Sequence, residues 1–109
     1  MQDFYDVTIV GGGPAGMFAA FYAGLRELKA QLIESLPQLG GQVSALYPEK
    51  EILDIAGFAS VTGQQLIDQL SEQMKQVPIE NYLGETVEDV IKVDGGFKVV
   101  TNQRTSYSK

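Results

Sequence analysis

The chain has 109 residues, with eight basic against fourteen acidic side chains and neither cysteine nor histidine. A net charge of −6 argues against a nucleic-acid or anionic-membrane partner, since both need clustered Lys and Arg. Without cysteine or histidine there is no disulfide framework, no thiol nucleophile and no ordinary zinc site, so no metal is expected.

With 44% hydrophobic and 20% charged residues, the composition is that of one globular domain. Asp3 and Asp6 stand where a signal peptide would carry basic residues. The longest apolar stretch, Ala15 to Leu25, is too short to span a bilayer. A cytoplasmic location is expected.

In chain order, Asp6-Val-Thr-Ile-Val10 is rich in β-branched residues and stops at Gly11-Gly-Gly-Pro-Ala-Gly16. That is the pattern of a buried parallel strand entering a tight turn. From Pro14 to about Arg26, apolar residues fall on nearly every face. This predicts a buried helix with Pro14 in its first turn, where a missing N–H costs nothing. Gln31 to Glu34 supplies a second strand, completing a βαβ unit with a right-handed crossover. Ser35 to Ser60 has no sustained period and carries Pro37, Gly40, Gly41, Pro48 and Gly57; a connection this long is usually functional.

Thr62-Gly-Gln-Gln65 has the form of a capping box. It opens a helix that buries Leu66, Ile67, Leu70 and Met74 and stops at Pro78. Ile79 to Leu83 reads as a third strand. Thr86–Val93, Phe97–Thr101 and Thr105–Ser108 then alternate as a three-stranded antiparallel meander, turned at Asp94-Gly-Gly96 and Asn102-Gln-Arg104. The expected fold is α/β: a parallel sheet in the order third, second, first strand, with flanking helices plus the meander. One apolar edge of the Val7–Val10 strand is then open, and self-association of the chain is expected.

The sharpest motif is Gly11-x-Gly13-x-x-Gly16, preceded by a strand and followed by a helix. Gly11 permits the tight turn, Gly13 lets a pyrophosphate approach the backbone, and Gly16 lets helix and strand pack closely. The diphosphate would sit over the helix N-terminus, beside Pro14 and Ala15, where free N–H groups and the dipole favour an anion. Glu34 lies 18 positions beyond Gly16, at the end of the next strand. There a carboxylate can accept hydrogen bonds from both ribose hydroxyls, and its charge would repel a 2′-phosphate. By itself Glu34 is a solvated strand-end acid, and it does not choose between FAD and NAD.

The run Tyr5-Asp-Val-Thr-Ile-Val-Gly-Gly-Gly-Pro-Ala-Gly16 resembles the FAD-binding start of the two-dinucleotide-domain flavoprotein reductases. Leu39-Gly-Gly-Gln42 is similar to the Gly-Gly-Gln element of the thioredoxin-reductase-like branch. Ala45-Leu-Tyr-Pro-Glu-Lys50, followed by Asp54-Ile-Ala-Gly-Phe58, resembles the ferredoxin–NADP reductases of the thioredoxin-reductase type. Thr86-Val-Glu-Asp-Val90 and Thr105-Ser-Tyr-Ser-Lys109 look like the same family.

The resemblance implies a Rossmann-like FAD-binding domain fragment in which Gly11, Gly13, Pro14, Ala15 and Gly16 hold the FAD diphosphate and Glu34 the adenosine ribose. It places Gln42 on the flavin side of the cofactor and Tyr47 against the isoalloxazine ring. Val87 would offer its backbone N–H and C=O to adenine. Asp54 stands where thioredoxin reductases usually carry asparagine and would contact the flavin. Each has a plainer reading: Gln42 satisfying loop backbone, Tyr47 a loop aromatic, Asp54 a solvated acid, Val87 a strand residue. Met17 and Met74 read as core. No catalytic acid or base stands out, and hydride transfer needs none.

The glutathione-reductase branch is excluded, because Gln42-Val-Ser-Ala-Leu-Tyr47 carries no sulfur where that branch has its redox pair. By resemblance, residues 1–109 are a truncated N-terminal portion of an FAD-binding domain, without the NADPH domain and the C-terminal FAD segment. The intact enzyme would exchange electrons with ferredoxin or flavodoxin and form a homodimer. A net charge of −6 offers no evident basic docking face for an acidic ferredoxin. The alternatives are a thioredoxin reductase FAD domain, or an NAD- or FAD-binding module without catalysis.

Overall fold

A computed structural model describes residues 4–41 and 49–109. Val7–Val10 (β2), Ala30–Glu34 (β3) and Glu80–Leu83 (β6) form a parallel sheet in the order β2-β3-β6. This is the expected third-second-first arrangement. Beside it, among the described residues, lie the helices α1, Pro14–Leu25, and α2, Gly63–Met74. Val87–Val93 (β7), Gly96–Thr101 (β8) and Thr105–Ser108 (β9) make the expected meander. The sheet is four-stranded rather than three-stranded, because Phe4–Tyr5 (β1) pairs in parallel with β9. A two-residue strand has no period, so nothing in the sequence marks it. For the same reason the short antiparallel pair Glu51–Ile52 (β4) and Val61–Thr62 (β5) lay hidden in and beside the long connection.

The core lies between the helices and one face of the parallel sheet. Met17 and Ala20 of α1, Leu66, Ile67, Leu70 and Met74 of α2, Leu32 of β3 and Val61 close on one another. The capping box starts α2 as expected: the Gln65 N–H donates to Thr62 Oγ1 at 3.1 Å, and the Thr62 N–H to Gln65 Oε1 at 2.9 Å. β3 is buried along its whole length because the meander covers its other face. Leu32 faces the helices, while Gln31 donates to Ser106 Oγ of β9 at 2.9 Å.

α1 departs from the expectation of a helix buried all round. Met17, Ala20, Ala23 and Gly24 are buried, but Phe18, Tyr22 and Leu25 are half-exposed. The sheet and α2 cover one side of it, and no described residue packs over the other. β2 stands at the sheet edge, and its Val10 is 61% exposed, so the expected open apolar edge is present among the described residues. No helix among them is long and apolar enough to cross a membrane.

Candidate cofactor site

The β2–α1 turn is shaped by four glycines, each for a different reason. Gly11 has φ +108°, a conformation that L side chains rarely adopt, and its N–H donates to the Ile33 carbonyl at 2.8 Å. A Cβ on Gly16 would be driven into the Gly11 carbonyl oxygen. The helix therefore starts as close to the strand as backbone atoms permit. A Cβ on Gly13, by contrast, would meet nothing within 4 Å among the described residues. Their packing gives Gly13 no steric reason to be glycine. The open side of the turn is where a ligand would come close.

Gly13 is also the N-cap of α1. It supplies no side-chain cap, no acid occupies the first turn, and Pro14 occupies the first turn as expected. The Met17 N–H donates to the Gly13 carbonyl at 2.9 Å, so the amides of Ala15 and Gly16 precede the first helical bond and are left for an outside acceptor. Orphan N–H groups and the positive end of the helix dipole together make a seat for an anion.

Glu34 reaches this turn. Its Oε1 accepts from the Gly12 N–H at 2.6 Å, and its Oε2 from the Leu36 N–H at 2.8 Å and the Ser35 hydroxyl at 3.3 Å. Burial disfavours the charge, but the N–H groups of Leu36 and Gly12, with Ser35, outweigh it. They hold the Glu34 carboxyl below the usual carboxylate range. Glu34 is only 7% exposed, so it is a fixed anion in the loop and not a solvated strand-end acid. Two carboxylate oxygens have about four lone-pair sites; Oε2 spends both of its own on Leu36 and Ser35, and Oε1, with Gly12 alone, retains one for a ribose hydroxyl.

Gly12, a position the glycine fingerprint leaves free, is sterically constrained, as Gly16 is and Gly13 is not. Its Cβ would lie 2.8 Å from Leu39 Cδ2 and 3.1 Å from Glu34 Oε1. The Gly40 N–H donates to the Gly12 carbonyl at 2.7 Å, and a Cβ on Gly41 would approach Gly13 Cα to 3.1 Å. The Leu39-Gly-Gly run therefore braces the turn from outside. Its run of glycines was the available signal, though it pointed to the flavin end.

Val87 opens β7, opposite Thr101 and beside an irregularity in the β7–β8 register. The preceding Glu85 N–H donates to the Glu34 carbonyl at 3.0 Å, which ties the Val87 segment to the end of β3. Asp54 is exposed. Its neighbours Ile55 and Ala56, and not Asp54, line a groove of about 400 Å3 with Pro14, Ala15 and Phe18. Gln42 and Tyr47 lie outside the described residues.

A turn that accepts a diphosphate and a fixed carboxylate that accepts a ribose suit any dinucleotide carrying an unphosphorylated ribose. Comparison with known proteins narrows this. The family model of FAD-dependent oxidoreductases matches residues 6–103. The chain belongs to this family. As a family member it is 62% identical over its whole length to a ferredoxin–NADP reductase of Limosilactobacillus fermentum and 64% identical over 99% of its length to one of Limosilactobacillus reuteri. In each case the chain spans 33% of the relative's length.

Among solved structures, thioredoxin reductase from Streptococcus pyogenes superposes with a TM-score of 0.85 at 28% identity, over 100% of this chain and 34% of that one. The Lactococcus lactis thioredoxin reductase gives 0.83 at 30% identity, over 96% and 33%. The cofactor that names the family fits the residues on this turn: Gly13 leaves room, the α1 amides supply donors, and Glu34 supplies the acceptor.

Proposed function

We propose that this chain is the FAD-binding portion of a ferredoxin–NADP reductase. Gly11, Gly13, Pro14, Ala15 and Gly16 would hold the FAD diphosphate, Glu34 the adenosine ribose, and the Val87 backbone the adenine. Gln42, Tyr47 and Asp54 would lie toward the flavin. The observation that carries the reading is the Glu34 carboxylate, buried, ionised and bonded across the glycine turn to Gly12. Bound FAD supplies the redox chemistry, converting between the two-electron currency of a nicotinamide and the single electrons of ferredoxin or flavodoxin. This chain's own residues bind and orient the cofactor and bring no acid or base to the reaction.

Identities of 62% and 64% to ferredoxin–NADP reductases, against 28% and 30% to thioredoxin reductases, support the ferredoxin branch. NADPH would bind within the two-thirds of those relatives that this chain does not span, and turnover by the chain alone is not expected. The intact enzyme is read as a cytoplasmic homodimer. The edge of β2, unpaired among the described residues, and the half-exposed Phe18, Tyr22 and Leu25 support self-association of the chain. Titration of the purified chain with FAD tests the cofactor. Flavin fluorescence should change saturably with one equivalent, and NAD should not compete. A chain that ignores FAD, or binds NAD in preference, overturns the reading.

A further inference from the structure

The turn between β8 and β9 reaches the adenosine end of the site from below. Thr101 closes this turn on itself: its Oγ1 accepts from the Gln103 and Arg104 N–H groups at 3.1 and 3.0 Å, and its N–H donates to the Arg104 carbonyl at 2.9 Å. Two side chains leave this rigid turn. Asn102 Oδ1 accepts from the Thr86 N–H at 2.9 Å, and the Asn102 N–H donates back to the Thr86 carbonyl at 3.1 Å. Arg104 runs inward. Its Nη2 donates to Gln31 Oε1 at 2.6 Å, its Nε lies 3.1 Å from Glu85 Oε2, and its guanidinium stacks 3.6 Å from the Tyr82 ring centroid.

The Arg104–Glu85 approach is an ion pair lying off the hydrogen-bonding direction, so Arg104 Nε and Nη1 and Glu85 Oε2 have no hydrogen-bond partner among the described residues. Glu85 is nonetheless one of the few buried acids, its side chain only 6% exposed. The two residues so gripped, Glu85 and Thr86, are the link between Glu34 and Val87. The Glu85 N–H bonds the Glu34 carbonyl at 3.0 Å, and the Gly84 N–H bonds the Leu36 carbonyl at 2.9 Å. Gln31, the third partner of Arg104, belongs to the same strand as Glu34.

We infer that Arg104 and Asn102 are positioning residues for the adenosine half of the cofactor, fixing the distance between Glu34 and the Val87 backbone. This rests on the FAD reading above. Neither residue touches the proposed ribose or adenine contacts; each holds the backbone that makes them. The clamp reaches the glycine turn only through Glu34 and its bond to Gly12, while the α1 amides start from Gly13, so the two halves of the site should separate by mutation.

The test compares the chain with Arg104→Gln and Asn102→Ala, each titrated with FAD, ADP and inorganic pyrophosphate. Pyrophosphate reports the glycine turn alone and, as a polyanion, also controls for the lost positive charge. Both variants should bind FAD and ADP about tenfold more weakly, with pyrophosphate affinity unchanged and far-UV circular dichroism as in the parent. Asn102 is exposed, so its variant carries the test if Arg104→Gln does not fold. ADP affinity within twofold of the parent in Asn102→Ala, or an equal loss for ADP and pyrophosphate, overturns the inference and leaves the FAD reading standing. A parent chain that binds neither FAD nor ADP overturns both.

Discussion

Two polar regions of this molecule are built on opposite plans. At the β2–α1 turn the polar groups are main-chain amides, and those of Ala15 and Gly16 have no cap. At the seam between the two sheets they are long side chains that satisfy most of one another's groups, with Arg104 Nε and Nη1 and Glu85 Oε2 left without a hydrogen-bond partner among the described residues. Tyr5 and Tyr82 both donate to Glu80 Oε1 at 2.7 Å, and Gln31 links Thr8, Ser106 and Arg104. A binding site must leave donors unspent, whereas a seam inside a fold spends most of them, because an unmade buried hydrogen bond costs about 1–3 kcal/mol. The difference supports the glycine turn as the polar cluster that faces a ligand.

The contrast breaks most visibly at the glycines. Gly16→Ala drives a methyl into the Gly11 carbonyl, so helix and strand must part. We expect a loss of about 3 kcal/mol in denaturant unfolding together with the loss of FAD binding. Gly13→Ala should separate the two effects. Its Cβ meets open space at φ −74°, so stability should stay within about 0.5 kcal/mol of the parent while FAD affinity collapses. Retained FAD affinity in Gly13→Ala would show that the diphosphate lies elsewhere.

Glu34→Gln comes next. It replaces one of two oxygens that accept backbone N–H groups by a donor, and should lower stability by about 1–3 kcal/mol and weaken FAD. In the seam, Tyr5→Phe removes a single hydroxyl donor to Glu80. A cost of about 1 kcal/mol, with FAD affinity unmoved, is expected from melting and titration together.

The pH dependence sharpens the same comparison. Glu34 is held low by the amides of Leu36 and Gly12 against its own burial, and Glu80 by the Tyr82 and Tyr5 hydroxyls. Because both folded values lie below the unfolded one, their stabilisation is complete above about pH 4.3. It is lost as pH falls through the lower folded values. Tyr5 is shifted the other way, chiefly by burial and then by its bonds to Tyr82 and Glu80. Its contribution is complete below about pH 10 and is lost as pH rises beyond. Unfolding midpoints should therefore be flat between these limits. In Tyr5→Phe the alkaline fall should shrink, while the acid fall belonging to Glu34 remains.

Much of this was legible in the residues. β2, α1, β3, α2 and β6 follow from β-branched runs, Pro14, the Thr62–Gln65 box and Pro78, because these are local preferences with a fixed period. The pairing of Gly11, Gly13 and Gly16 with Glu34 was legible for the same reason: spacing along a βαβ unit is spacing in space. What escaped reading depended on partners distant in sequence. β1 exists because β9 runs beside it, and the exposed side of α1 because nothing described packs there. Gly12 is glycine because Leu39 and Glu34 occupy the space a Cβ would need.

The residue order by itself determined the parallel sheet, the helix starts and the glycine turn facing a strand-end acid, since short-range sterics and hydrogen bonds decide those without help from the rest of the chain. Only the tertiary structure decided that Glu34 is buried and bonded to Gly12. It alone also brought the β8–β9 turn under the β3–β7 link. Such contacts join residues 16 to 73 positions apart, and which of them form is set by how the layers stack, a property no local pattern encodes.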